Sequence, residues 1–218
     1  MTRIFLVRHG ETSWNMERRY QGNKDVLLSK EGRRQATLLA RSLRGRDIAR
    51  IYSSDLRRAL ETAAIVGAHL GVPVFTEPAL REANFGVWEG CTQAEVAERF
   101  PEVLASWRHD SVNTRVPGGE TAFEVQERAY QALLGISGTH PGETVTVVSH
   151  GGPIKAALCR LLHLDLCHRF RMVIDNASIC TIDLAAGDGK LVSLNDTCHL
   201  KLPFDSAGLD GIVLPDPA

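Results

Sequence analysis

No apolar run among the 218 residues approaches the ~18 needed to cross a bilayer, which excludes a membrane-spanning helix and any membrane partner reached through one. Neither sign of charge is in excess. Lys and Arg number 25 against 26 Asp and Glu, a formal net charge of -1. That balance excludes a nucleic-acid partner held by bulk charge, yet leaves room for a local basic pocket holding a small anion. Cysteine is sparse and unpatterned: Cys91, Cys159, Cys167, Cys180 and Cys198 are odd in number and form no Cys-x-x-Cys. A disulfide framework is therefore not expected, and the five read as small buried hydrophobes in a reducing compartment. Cys159, His163, Cys167 and His168 fall close together, but no further acidic or Cys/His set completes a metal site, so no metal and no cofactor is expected. Internal repeats and low-complexity tracts are absent. Met1-Thr2-Arg3 leads directly into an apolar segment, leaving no space for a signal peptide, and the cytoplasm is the expected location.

What is present is an ordinary globular composition, 44% hydrophobic and 23% charged, long enough for one large domain. Strand-like and helical runs alternate. Residues 3–7 are apolar and short, a buried strand. Ser29 is placed to cap a helix over 29–44, with Gly45 as its stop. A second strand, 49–53, precedes a helix over 56–70 that Asp55 opens and Gly71 closes. Residues 72–76 form a third strand. The β-branched segment 144–149 is the best buried strand in the chain, followed by a helix over 152–162. Segments 178–184 and 190–194 flank a glycine-containing turn and read as a late hairpin. Such alternation predicts an α/β protein with a mostly parallel central sheet and helices on both faces, a three-layer α/β/α arrangement. Residues 83–137 break the pattern. They carry two capping boxes, Thr92–Glu95 and Thr121–Glu124, and read as a small, mainly helical cap inserted within a single domain spanning 1–202. Residues 203–218 are expected to form a flexible tail.

Polar groups recur just past the strand-like runs, where the open end of a parallel sheet receives ligands. The first run ends Val7-Arg8-His9-Gly10-Glu11. Arginine supplies a planar fork suited to phosphate, histidine a nucleophile with a well-populated neutral form, and glycine a close backbone approach. After the second strand comes Ser53-Ser54-Asp55-Leu56-Arg57-Arg58-Ala59. Arginine in the first turn of a helix opposes the helix dipole and suggests a nearby anion. Two adjacent arginines cannot share a direction, so one is expected to face the site. Glu82 precedes an aromatic, glycine-punctuated loop, Asn84-Phe85-Gly86-Val87-Trp88-Glu89-Gly90, and suits a general acid, with Trp88 near enough in sequence to help desolvate it. Val148-Ser149-His150-Gly151-Gly152 repeats the strand–His–Gly design at a helix N-terminus, which favours an anion. Two such turns point to two imidazoles facing one pocket.

In order, Leu-Val-Arg-His-Gly-Glu-Thr-x-Trp-Asn, Ser-x-Leu-x-Arg-Ala-x-Glu-Thr-Ala, Leu-x-Glu-x-x-Phe-Gly-x-Trp-Glu-Gly and Val-Ser-His-Gly-Gly resemble the histidine phosphatase superfamily, in its phosphoglycerate-mutase-like branch with cofactor-independent phosphatases. The resemblance covers roughly residues 3–200. It implies that His9 becomes phosphorylated, that Arg8, Arg58 and His150 line the phosphate pocket, and that Glu82 donates the proton. It further implies supplementary phosphate contacts from Asn15 and the backbone of Gly151, and an approach to the phosphate or its ester by Thr12 and Gln21. The implied function is hydrolysis of a small phosphorylated metabolite without a metal. Alternatives are a phosphoglycerate mutase using the same phosphohistidine and a non-catalytic phosphate-binding scaffold. α-Ribazole phosphate, phosphoserine, phosphosugars and broad specificity all remain open as substrates. Oligomeric state is open as well, a homodimer included.

Overall fold

The computed structural model describes residues 1–185 and 187–201; the expected tail, 203–218, lies outside the described residues. Six strands, β1 (Thr2–Arg8), β2 (Ile48–Ser53), β3 (Val74–Thr76), β4 (Thr144–Ser149), β5 (Ile179–Ala185) and β6 (Asp188–Asp196), form one sheet in the order β3-β2-β4-β1-β5-β6. β1, β2, β3 and β4 run parallel; β5 is antiparallel to both its neighbours. The mostly parallel sheet and the late hairpin agree with the sequence reading.

Side-chain alternation along the strands builds two cores. Ile4, Leu6, Val145, Val147, Ile182 and Leu184 pack on one face, and Phe5, Val7, Ile51, Val148 and Ile179 on the other. Helices α2 (Lys30–Ser42) and α3 (Arg57–Leu70) cover the second face through Leu39, Ala40, Ala59, Ala63 and Val66. Helices α6 (Ala122–Thr139) and α7 (Gly151–Leu161) cover the first through Val125, Ala129, Leu133, Ile154 and Leu158. Ser29 caps α2 by accepting from Gly32 N–H, and Gly71 ends α3 at φ 68°, a left-handed position. Asp55, expected to open α3, does not cap it: Leu56 occupies the cap without a side-chain bond, because the Asp55 carboxylate is bound by the Arg81 guanidinium.

The stretch 83–137 divides in two. Helix α6 belongs to the sheet-covering layer, its buried residues recurring every three to four positions. The remainder, with α4 (Gln93–Arg99) and α5 (Pro101–His109), roofs the open ends of the strands. Trp88, Cys91, Val96, Leu104 and Val116 give this roof its own core. Both capping boxes form as expected. Cys91, Cys159 and Cys180 are buried, but Cys167 and Cys198 are exposed, contrary to the uniform reading as buried hydrophobes; all five are free thiols.

Candidate active site

β1 and β4 are neighbours, paired in register from Arg3↔Thr144 to Arg8↔Ser149. One residue further, His9 N–H donates to the Ser149 carbonyl at 3.0 Å, which brings His9 and His150 side by side. Their ring centroids are 5.0 Å apart, and both are essentially fully buried. His9 Nδ1–H donates to its neighbour's carbonyl, Gly10 O, at 2.7 Å, leaving Nε2 with its lone pair available. His150 Nε2 meets the Ser54 hydroxyl at 2.8 Å, and its Nδ1 is buried without a partner.

The turn after His9 is held from three sides. Gly10 packs so tightly on the first turn of α2 that a Cβ there would lie 2.5 Å from Gly32 O. Gly10 N–H donates to Thr62 Oγ1 at 3.0 Å. Asn176 Nδ2 donates to the His9 and Gly10 carbonyls and to Asn15 Oδ1 at 3.1–3.3 Å.

Two guanidiniums flank the imidazoles. Of the adjacent arginines at the start of α3, Arg57 is exposed and Arg58 wholly buried. Arg58 donates through Nη1 to Lys24 O and through Nη2 to Gly22 O, both at 2.8 Å, while its Nε has no partner. Arg8 donates through Nη1 to Ile174 O at 2.7 Å, and its Nε is likewise unpaired and buried. Buried donors without acceptors are uncommon in folded proteins; here the two arginines that carry them border one small cavity of about 140 Å³ lined by Arg8, His9, Asn15, Arg19, Tyr20, Gln21, Arg58, Glu82 and Phe85. Gln21 Oε1 is unpartnered there too. His150 lies beside His9 rather than in the cavity wall.

The electrostatics follow from this crowding of cations. Burial holds the His9 imidazolium well below the usual histidine range, and Arg58 and Arg8 push the same way against the Gly10 carbonyl. Burial does the same to His150, reinforced by Arg58, His9 and Arg8. Arg58 is lowered by burial to about 10, with Glu82 and Asp25 opposing the shift. It stays charged at neutral pH. The pocket thus presents the neutral imidazole of His9, backed by that of His150, beside permanent positive charge, a preorganised receptor for an anion.

Glu82 faces the same cavity from the loop after β3. Its Oε1 accepts from Ala83 N–H at 2.8 Å and its Oε2 from Gly152 N–H at 3.4 Å. A Cβ at Gly152 would collide with Glu82 Oε1, so the close approach of the carboxylate to the start of α7 requires glycine there. Arg128, projecting from α6, ties the whole loop: it donates to the Ala79, Arg81 and Glu82 carbonyls at 2.6–2.9 Å and binds the Glu120 carboxylate through two nitrogens at 2.8–2.9 Å. Arg8, Tyr20, Glu82 and Phe85 also line a second, larger cavity of about 520 Å³ under the roof, bordered by Gly151, Gly152, Lys155, Trp107, Arg169 and Phe170.

The structure therefore brings His9, Arg8, Arg58, Glu82, Asn15 and Gln21 to one cavity, with His150 beside it and Gly151 on the wall of the next. Thr12 does not join them. Its hydroxyl caps the short helix α1 (Ser13–Met16), accepting from Asn15 N–H and donating to Asn15 Oδ1, and it is fully buried away from the cavity lining. Trp88 also departs from expectation: it is buried in the roof's own core and borders neither cavity. Arg19, Ser54, Arg128 and Asn176 were missed by sequence reasoning.

A mostly parallel sheet whose open end joins paired imidazoles to a cationic anion pocket defines an α/β enzyme built for phosphoryl groups. The chain belongs to the histidine phosphatase superfamily (branch 1), whose sequence model matches residues 4–197. It is 36% identical over 200 residues to phosphoserine phosphatase 1 of Hydrogenobacter thermophilus, covering 92% of this chain and 95% of that one. It is 37% identical over 213 residues to a probable phosphoglycerate mutase, GpmB, of Yersinia pestis, covering 93% and 97%. Among solved structures, Bacillus stearothermophilus YhfR superposes with a TM-score of 0.86 at 34% identity, covering 92% of this chain and 100% of that one.

Proposed function

We propose that this histidine phosphatase hydrolyses small phosphomonoesters through a phosphohistidine formed at His9. The observation that carries the reading is the setting of His9: its Nδ1–H is held by Gly10 O, burial beside Arg58 and Arg8 disfavours its imidazolium, and it lines one cavity with both arginines. Nε2 attacks phosphorus as the P–O bond to the alcohol breaks. Arg8 and Arg58 neutralise the charge gathering on the equatorial oxygens. His150, held by the hydrogen bond between its Nε2 and the Ser54 hydroxyl, packs beside His9 and backs the phosphoryl site. Asn15 and Gln21 supply lateral polar contacts.

Glu82 gives a proton to the departing alkoxide, then takes one from the water that attacks phosphohistidine, releasing phosphate and regenerating His9. A positioned acid–base group of this kind contributes about 10²–10⁴-fold. Support for hydrolysis comes from the 36% identity to a phosphoserine phosphatase. The resemblance to a probable phosphoglycerate mutase favours phosphoryl return to the product as a second reading. A cytoplasmic setting belongs to the same proposal, since free thiols and small phosphate esters suit a reducing compartment.

The test is a panel of phosphomonoesters run beside interconversion of 2- and 3-phosphoglycerate, with rapid acid-free quenching and mass spectrometry for a phosphoryl group on His9. Phosphate release with transient labelling of His9, and loss of both in a folded His9→Ala variant, is expected. Hydrolysis that persists in His9→Ala overturns the reading, and interconversion without net phosphate release replaces it with the mutase.

A further inference from the structure

Glu89 borders neither cavity, yet it joins two separate parts of the site. Its half-buried carboxylate sets one oxygen, Oε1, between two backbone donors, Asn23 N–H at 2.8 Å and Phe85 N–H at 3.2 Å. Phe85 belongs to the loop that carries Glu82. Asn23 belongs to the turn 22–24, whose Gly22 and Lys24 carbonyls take both Nη groups of Arg58 at 2.8 Å. That turn lies in no helix or strand, so outside contacts decide where its carbonyls stand. Gly22 is fitted to the contact: its φ is 52°, and a Cβ there would fall on the Glu89 carboxylate. The Glu82 loop has other anchors, since Ala83 and Gly152 N–H groups hold the carboxylate and Arg128 holds the backbone. Arg58 depends on the turn, because its Nε is unpaired and a guanidinium is oriented by the bonds its fork makes.

We propose that Glu89 is a positioning residue that acts through Arg58: by clamping the 22–24 turn it fixes the direction of the guanidinium and thereby the pocket's affinity for the transition state. The proposal rests on the phosphatase reading above. Reach matters here more than charge. Burial lowers the proton affinity of Arg58, and Glu89 stands behind Glu82 and Asp25 among the carboxylates that oppose the shift. An amide oxygen at the same distance accepts the same two N–H groups, whereas a side chain one methylene shorter leaves the turn unheld. Coupled neighbours of this kind show interaction energies that correspond to about tenfold in affinity.

The test is a double-mutant cycle read with orthovanadate, a mimic of five-coordinate phosphorus, titrated calorimetrically, and with kcat/KM on an alkyl phosphate and on p-nitrophenyl phosphate. Glu89→Gln should bind vanadate within about twofold of wild type, and Glu89→Asp about tenfold more weakly, with similar losses of kcat/KM on the two esters. In an Arg58→Lys background, whose ammonium cannot span both carbonyls, Glu89→Asp should cost less than about twofold more. A merely structural role would add its full loss in either background, which would overturn the proposal. So would wild-type binding by Glu89→Asp, or a loss in Glu89→Gln equal to that in Glu89→Asp. A loss confined to the alkyl ester with vanadate binding intact would also overturn it, by moving the action to Glu82. A wild type that neither binds vanadate nor hydrolyses any phosphomonoester would overturn the phosphatase reading, and this proposal with it.

Discussion

Gly152→Ala isolates the geometry of the acid. The added Cβ enters the space held by Glu82 Oε1, and the carboxylate, as the mobile end of a side chain, must swing away by about an ångström or more to restore van der Waals contact. The fold has little reason to suffer. Alanine is favoured over glycine within a helix by roughly 0.5–1 kcal/mol, which offsets much of the local strain, so the thermal midpoint should move by only a few degrees. Catalysis should suffer more, because a displacement near 1 Å corresponds to about 10² in rate. The loss should depend on the leaving group. An alkyl phosphate needs a proton on its departing oxygen, whereas p-nitrophenyl phosphate releases a stabilised phenolate. We expect kcat to fall about 100-fold for the alkyl ester and several-fold at most for the aryl ester. Steady-state kinetics on both esters, with differential scanning calorimetry on the same preparations, measure this directly. Equal losses on both esters, or no loss on either, would refute the assignment of Glu82 as proton donor.

Three further outcomes follow from the site. His9 and His150 are neutral in the fold but titrate near their ordinary value of 6.5 when unfolded, so below that pH the unfolded chain binds protons the native state does not. Stability should therefore be full above about pH 6.5 and fall with acidification by up to roughly 1.4 kcal/mol per pH unit for each ring; urea unfolding of a His9→Gln/His150→Gln double variant between about pH 5 and 7 should show a shallower slope, and an unchanged slope would contradict the buried neutral pair. Arg128→Lys, which cannot reproduce the five bonds to the Glu82 loop and Glu120, should lower kcat about tenfold with KM nearly unchanged; a pure KM effect would show that the loop positions substrate instead of the acid. Among the described residues no group of three or more His, Cys, Asp or Glu converges, so exhaustive chelation should leave the rate unchanged, checked by assay before and after adding back Mg²⁺ or Zn²⁺.

The strand-end groups were legible because each is announced locally. An apolar run that terminates in Arg-His-Gly or Ser-His-Gly, or a helix that begins with a dipole-opposing arginine, is a conflict between residue type and position that a ligand resolves. Arg128 and Asn176 carry no such mark. Arg128 sits on an amphipathic helix where a surface arginine would look the same, and its meaning comes from carbonyls more than forty residues away. Asn176 acts across the sheet, on a loop that only the β1–β5 pairing brings to His9. The sequence reading places most of helix α6 in the roof with the rest of 83–137, the block that interrupts the strand–helix alternation. The spacing Val125, Ala129, Leu133, Ile136 was the available signal that it faces a core. Thr12 was read from resemblance alone, and a Thr-x-x-Asn capping pattern was the competing local explanation that the geometry favours.

The 5.0 Å between the two rings nearly equals the spacing between hydrogen-bonded strands. The sheet itself is thus the ruler for the reactive pair, with no loop required to measure the gap. Because successive side chains alternate across a sheet, deleting one residue from β1 or β4 would turn an imidazole to the opposite layer altogether. Lineages descending from this architecture are free to remodel the roof, and with it the choice of ester, while the lengths of two adjacent strands stay locked.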